Sequence, residues 1–111
     1  MTRSICQALV LAGLLTAAGA AQAQSYYNGT FRPYWYANNL YIEETNVQKG
    51  AVPACVTRPL LNLSADPASN QAKEEYAMLL AAWYTGRTLN IVGSGTCTSE
   101  GDEIILQIQP Q

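Results

Sequence analysis

The chain has 111 residues, no histidine, and 6 Lys and Arg against 8 Asp and Glu, for a net charge of −2. That balance argues against a nucleic-acid partner, because tracking phosphates takes clustered cations and Arg32, Lys49, Arg58, Lys73 and Arg87 are scattered. Without His, the usual Ser-His or Cys-His catalytic arrangement and the commonest metal ligand are both missing.

Residues 1–23 read as a signal peptide: Arg3 gives a basic start, residues 8–21 are apolar, and Ala21-Gln22-Ala23 is a small-x-small cleavage site. The apolar run is shorter than the ~20 residues a membrane span needs and no basic stop-transfer cluster follows, so no stable membrane span is expected. Cys6 leaves with the signal. The mature chain then starts near Gln24, is secreted or periplasmic, and carries about 88 residues, five of them basic and 8 acidic. That length supports one small domain, divided in this reading into an aromatic-rich segment at 24–39 and a folded domain at 40–111.

Seven of the chain's ten aromatics fall between positions 26 and 41: Tyr26, Tyr27, Phe31, Tyr34, Trp35, Tyr36 and Tyr41. One reading is a stacking surface for sugar rings or a protein interface, with Tyr26, Tyr27, Tyr34 and Tyr36 as candidate ligand-binding residues. The other is a plain β-strand, since aromatics favour strands and a small core needs bulk. Alternation cannot hide seven rings in sixteen residues, so at least two of the four tyrosines should stay exposed, with Tyr34 and Tyr36 on one face and Trp35 buried on the other beside Leu40 or Ile42. Pro33 points to an edge or bend, and Asn38-Asn39 to a turn into a clearer strand at 40–47. Glu43 and Glu44, adjacent on that strand, face opposite ways and cannot cooperate as a carboxylate pair.

After a turn at Gln48-Lys49-Gly50, residues 54–63 read as a strand broken at Pro59. It carries Cys55, and Cys97 is the other mature cysteine. An even count in an exported chain predicts one disulfide; the competing metal pair or redox couple would want a CxxC or a His.

Asp66-Pro67 is a helix-start signal, an N-cap acceptor followed by a proline whose missing N–H costs nothing. Ala72, Tyr76, Leu79, Leu80 and Trp83 then recur at helical spacing, which predicts a helix over 67–85 with that face buried. Beyond Tyr76 the helix is small or apolar nearly all round, which predicts cover on more than one side. Gly86 is the expected left-handed stop. Leu89 and Ile91 alternate with polar neighbours in a strand, Gly93-Ser94-Gly95 reads as the turn that ends it, and residues 103–109 form a second strand after a turn at 99–102, the pair making a hairpin. Glu100, Asp102 and Glu103 lack the spacing of a calcium loop and read as a solvated turn. Gly93-Ser94-Gly95 has no helix after it, so it is no nucleophile elbow. No catalytic, metal or cofactor site emerges, and an enzyme is not expected.

Pro53-Ala54-Cys55, the run Tyr-Ala-Met-Leu-Leu-Ala-Ala-Trp-Tyr-Thr-Gly-Arg at 76–87, the strand at 88–92 and Gly95-Thr96-Cys97 resemble small exported bacterial proteins with the fold of pertussis-like and subtilase-type AB5 toxin B subunits. The resemblance runs over about 40–109. It implies an α+β fold, a small OB-like β-barrel of about five strands with one helix between the third and fourth. It also implies a non-enzymatic role and, in the toxin members, pentamers that bind cell-surface glycans, so a homo-oligomer belongs to the expectation. The function expected is therefore an exported binding module for a glycan or a protein on a cell surface, with a structural or inhibitory envelope protein acting through protein contacts as the alternative.

Overall fold

The computed structural model describes residues 24–63 and 66–111, so the signal-peptide reading of 1–23 lies outside the described residues. Five strands, β1 (Tyr26–Tyr36), β2 (Asn39–Gly50), β3 (Leu60–Asn62), β4 (Leu89–Cys97) and β5 (Glu103–Pro110), close into a barrel, with α1 (Asn70–Thr85) between β3 and β4. The order around the barrel is β1-β2-β3-β5-β4, and β4 returns to pair with β1. Every neighbouring pair is antiparallel except β3 with β5. This is the OB-like barrel with its helix in the expected interval. The barrel takes in the aromatic-rich segment as its first strand, so the folded unit includes 24–39 instead of starting at residue 40.

Alternation explains how β1 fills the interior. Tyr27, Phe31 and Pro33 point inward and are buried, while Tyr26, Arg32, Tyr34 and Tyr36 lie on the outer side. Tyr27 and Phe31 meet Leu40 and Ile42 of β2, Leu61 of β3, Leu89 and Ile91 of β4 and Ile105 of β5 in one core. The strand expected at 54–63 survives only as Leu60–Asn62, because Pro53 and Pro59 cannot donate to a ladder; Cys55 sits in the loop before it. Cys55 is bonded to Cys97 at the end of β4, with Cα atoms 6.0 Å apart, as the cysteine count predicts.

The helix starts three residues later than its sequence signal. Asp66 Oδ1 accepts from Ala68 N and its carbonyl from Ser69 N, which turns the chain, and Ser69 is the N-cap whose Oγ accepts from Ala72 N. Asp66-Pro67 therefore forms the turn that precedes the cap. Gly86 stops the helix at φ 70° as expected, with Arg87 N donating back to Ala82 O. The buried stripe is narrower than the spacing implied: Ala72, Leu79 and Ala82 are buried, Tyr76 and Leu80 partly so, and Trp83 is 36% exposed. A helix laid across one end of a small barrel is covered on one side only, and Ala77, Met78, Ala81 and Tyr84 face out. Cover on a second side is not supplied by this chain's described residues.

Gly93-Ser94-Gly95 does not end β4. The strand continues through it to Cys97, with register shifts against β5 on both sides of Gly93. The bulge follows from what lies inside it: a Cβ at Gly93 would sit 2.2 Å from Glu103 Oε2 and 2.2 Å from Ser25 Oγ. Asp102 and Glu103 are accordingly not a solvated turn; both are fully buried. Glu103 accepts from Ser25 Oγ at 2.5 Å, from the Tyr27 hydroxyl at 2.5 Å and from Gly95 N at 2.8 Å. Three donors on one buried carboxylate replace the water it has lost.

Candidate functional site: an aromatic depression on the barrel wall

The hairpin of β1 and β2 turns at Ala37-Asn38, where both residues have positive φ, 51° and 68°, as a two-residue hairpin loop of matching twist requires. The sequence signal at Asn38-Asn39 was thus one residue late. The register sets Arg32 opposite Glu43, Tyr34 opposite Tyr41 and Tyr36 opposite Asn39, all on the outer face. Tyr34 and Tyr41 stack with centroids 5.5 Å apart and planes 22° from parallel. The Arg32 guanidinium stands 5.6 Å from the Tyr34 centroid and that of Arg58 6.0 Å from the Tyr41 centroid, so the two rings have a cation at each end.

Arg58, in the loop after Cys55, is fixed by acids from the β4–β5 loop. Its Nε donates to Asp102 Oδ1 at 2.8 Å and its Nη2 to Asp102 Oδ2 at 2.6 Å and Glu100 Oε2 at 3.1 Å. Asn62 Nδ2 donates to the same Asp102 oxygen at 2.9 Å. The hydrogen bonds and charge of Asp102, reinforced by Glu100, hold the guanidinium above its already high ordinary range, so it stays charged at any working pH. The Tyr41 hydroxyl donates to Glu100 Oε1 at 3.3 Å.

Together Tyr34, Tyr36, Tyr41, Arg58, Leu60 and Glu100 line an open depression of about 300 Å³. In OB barrels, oligosaccharides and oligonucleotides are held on the face of the second and third strands between the loops joining strands 1–2 and 4–5, and this depression lies there. A second hollow, of about 310 Å³ between α1 and the end of β5, has a mostly aliphatic wall that includes Met78, Ala81, Leu89 and Pro110. Thr85, Arg87, Thr88 and Gln111 complete its lining, but it offers no aromatic face.

The four sequence candidates therefore separate. Tyr34 and Tyr36 share the depression; Tyr36 is 69% exposed. Tyr26 is also exposed, but its ring lies over Gly50 at the far end of β1, so it serves no common site with them. Tyr27 has no exposed surface, and its hydroxyl is committed to Glu103; burial first, then that hydrogen bond and charge, push the phenol far above its ordinary pKa. It belongs to the core. Trp35 is 44% exposed instead of buried: it pairs with the buried Leu40 at the turn end of β1, and its ring meets the edge of Tyr76 on α1, with centroids 5.6 Å apart.

Tyr41, Arg58 and Glu100 are not among the ligand-binding candidates of the sequence, in which Tyr41 is one of the clustered aromatics and Glu100 part of an acidic turn. Tyr41 was within reach, because a loop at 37–38 places it opposite Tyr34. Arg58 and Glu100 come from loops whose approach depends on the closed barrel, and no local pattern marks them. Among the described residues, no group of three or more His, Cys, Asp or Glu could hold a metal ion. No helix of the described residues is long and apolar enough to cross a membrane. The disulfide is compatible with an extracytoplasmic location. No protein-family model matches the chain, and no curated protein or solved structure matches it significantly.

Proposed function

We infer that the protein is an exported binding module that acts without catalysis and takes a cell-surface glycan in the aromatic depression. The observation that carries this reading is the convergence of an exposed tyrosine, a stacked tyrosine pair, a fixed guanidinium and a half-exposed carboxylate in one open hollow. Sugars need that mixture, an aromatic face for their C–H groups and charged or polar tips for their hydroxyls. The negative chain charge weighs against an oligonucleotide in the same place. The likeness to AB5 toxin B subunits, with a homo-oligomer, belongs to this reading; the five-stranded barrel and its helix support it, and sedimentation of the mature protein tests it.

The alternative, a structural or inhibitory envelope protein that pairs through strand edges, has less to use, since closing a barrel removes edges. A glycan array beside a pull-down from cell-surface fractions separates the two. Glycan binding that a Tyr34→Ala, Tyr36→Ala double variant abolishes while folding normally supports the first reading. Capture of a protein with no glycan bound, unaffected by that variant, overturns it.

A further inference from the structure

We propose that the depression recognises a neutral sugar residue through two adjacent hydroxyls and discriminates against acidic sugars; the inference rests on the glycan reading above. It follows from which edge of Arg58 is already spent. A guanidinium grips a carboxylate through two parallel N–H groups. Arg58 uses its Nε and Nη2 in that way on Asp102, which is fully buried and further held by Asn62. Nη2 also donates to Glu100. Among the described residues Nη1 makes no side-chain hydrogen bond, so what Arg58 leaves for a ligand in the depression is a single donor corner. That corner suits a hydroxyl oxygen and is a poor seat for a ligand carboxylate.

The adjacent wall is an acceptor. The Glu100 side chain is 51% exposed, and among the described residues its carboxylate accepts from Tyr41 and Arg58 alone, which leaves lone pairs open. A donor corner beside an acceptor is the complement of a vicinal diol, in which each hydroxyl both accepts and donates. Charge points the same way. The one guanidinium in the wall, Arg58, is set against two carboxylates, Glu100 in the wall and the buried Asp102 behind it, while the neighbouring Arg32 is cancelled by Glu43. A sialic or uronic acid would bring its carboxylate against Glu100 with no free guanidinium fork to receive it, and like charges brought together at a binding surface are rejected. Tyr36, exposed and on the same wall, supplies the ring face for the sugar's C–H groups.

The test uses the mature, disulfide-bonded protein titrated with lactose, N-acetyllactosamine and mannobiose, and with lactose carrying a terminal sialic acid or glucuronic acid. Neutral sugars should bind at least about tenfold tighter than acid-capped ones, a difference of about 1.4 kcal/mol. Glu100→Gln, which removes the charge from a half-exposed loop side chain and leaves a similar shape, should abolish most of that discrimination while its thermal unfolding stays that of the parent. Tighter binding of the acid-capped sugars, or a preference unchanged in Glu100→Gln, overturns the inference and leaves the glycan reading standing. Binding to none of these sugars, with other glycans also silent on an array, overturns both.

Discussion

The Tyr27 hydroxyl donates to Glu103 Oε1 at 2.5 Å across 76 positions of sequence, and both side chains are fully buried. The contact ties the start of β1 to the start of β5, where the β4 bulge folds over the carboxylate, and it fixes the phenol as a proton donor. Because the folded-state pKa of Tyr27 is raised above the unfolded value, its contribution is fully present below about pH 10 and is lost as pH rises further, when the unfolded chain releases a proton that the native state keeps. Urea midpoints should therefore fall between pH 10 and 11.5 more steeply in the parent than in Tyr27→Phe. At pH 7, Tyr27→Phe should cost about 1 to 3 kcal/mol by taking one donor from a buried carboxylate. Identical alkaline profiles for the two proteins would remove this bond from the account.

Leu79 is the side chain through which α1 enters the core. It is fully buried, whereas Trp83, on the stripe the spacing marked out, is 36% exposed. Leu79→Ala should cost about 2 to 5 kcal/mol in chemical unfolding, and exposed Glu74→Ala less than about 0.5. Trp83→Ala should fall between. A larger loss for Trp83→Ala than for Leu79→Ala would mean that the helix docks by a different face.

The disulfide of Cys55 and Cys97 closes a separation of 42 residues. In the chain-entropy model that is worth about 4 kcal/mol, a large share of the net stability of a domain this size. Thermal unfolding with a reductant should show a much lower midpoint or no folded baseline at 37 °C. The bond also ties the loop that carries Arg58 to the end of β4, which leads into the loop bearing Glu100, so ligand binding should weaken on reduction before unfolding is complete. Unreduced protein with two free thiols by mass spectrometry would contradict the pairing.

The barrel's elements were legible where a local rule sufficed. Alternation at Leu89 and Ile91, the Gly86 stop and the cysteine count each state a short-range requirement that the closed fold respects. The misreadings share a cause, which is that tertiary contacts decided. Gly93-Ser94-Gly95 has the composition of a turn, yet its small residues make room for Glu103 beneath a continuing strand. Asp102 and Glu103 look like surface acids until Arg58, Asn62, Ser25 and Tyr27 arrive from distant positions to satisfy them. The site divided along the same line: Tyr34 and Tyr36 follow from alternation, whereas Arg58 and Glu100 meet them only once β3 and β5 have paired.

Tyr26 and Tyr36 offer an internal control for the binding face. They lie on the same outer side of one strand and are both exposed, 48% and 69%, so composition and accessibility alone treat them alike. Ten residues of strand separate them, roughly 30 Å, more than a single sugar site spans. Only Tyr36 borders Arg58 and Glu100. Tyr36→Ala should weaken binding of a glycan identified on an array by about tenfold or more, the loss of about 1.4 kcal/mol that removing a stacking ring from a binding hot spot entails. Tyr26→Ala should leave that affinity within about twofold, since its ring lies over Gly50 and does not line the depression. Titrations of both variants with the same glycan decide the matter, with circular dichroism and thermal unfolding to establish that each is folded. Equal losses would mean that the aromatic strand binds along its whole length, and a loss at Tyr26 alone would move the site to the opposite end of the barrel.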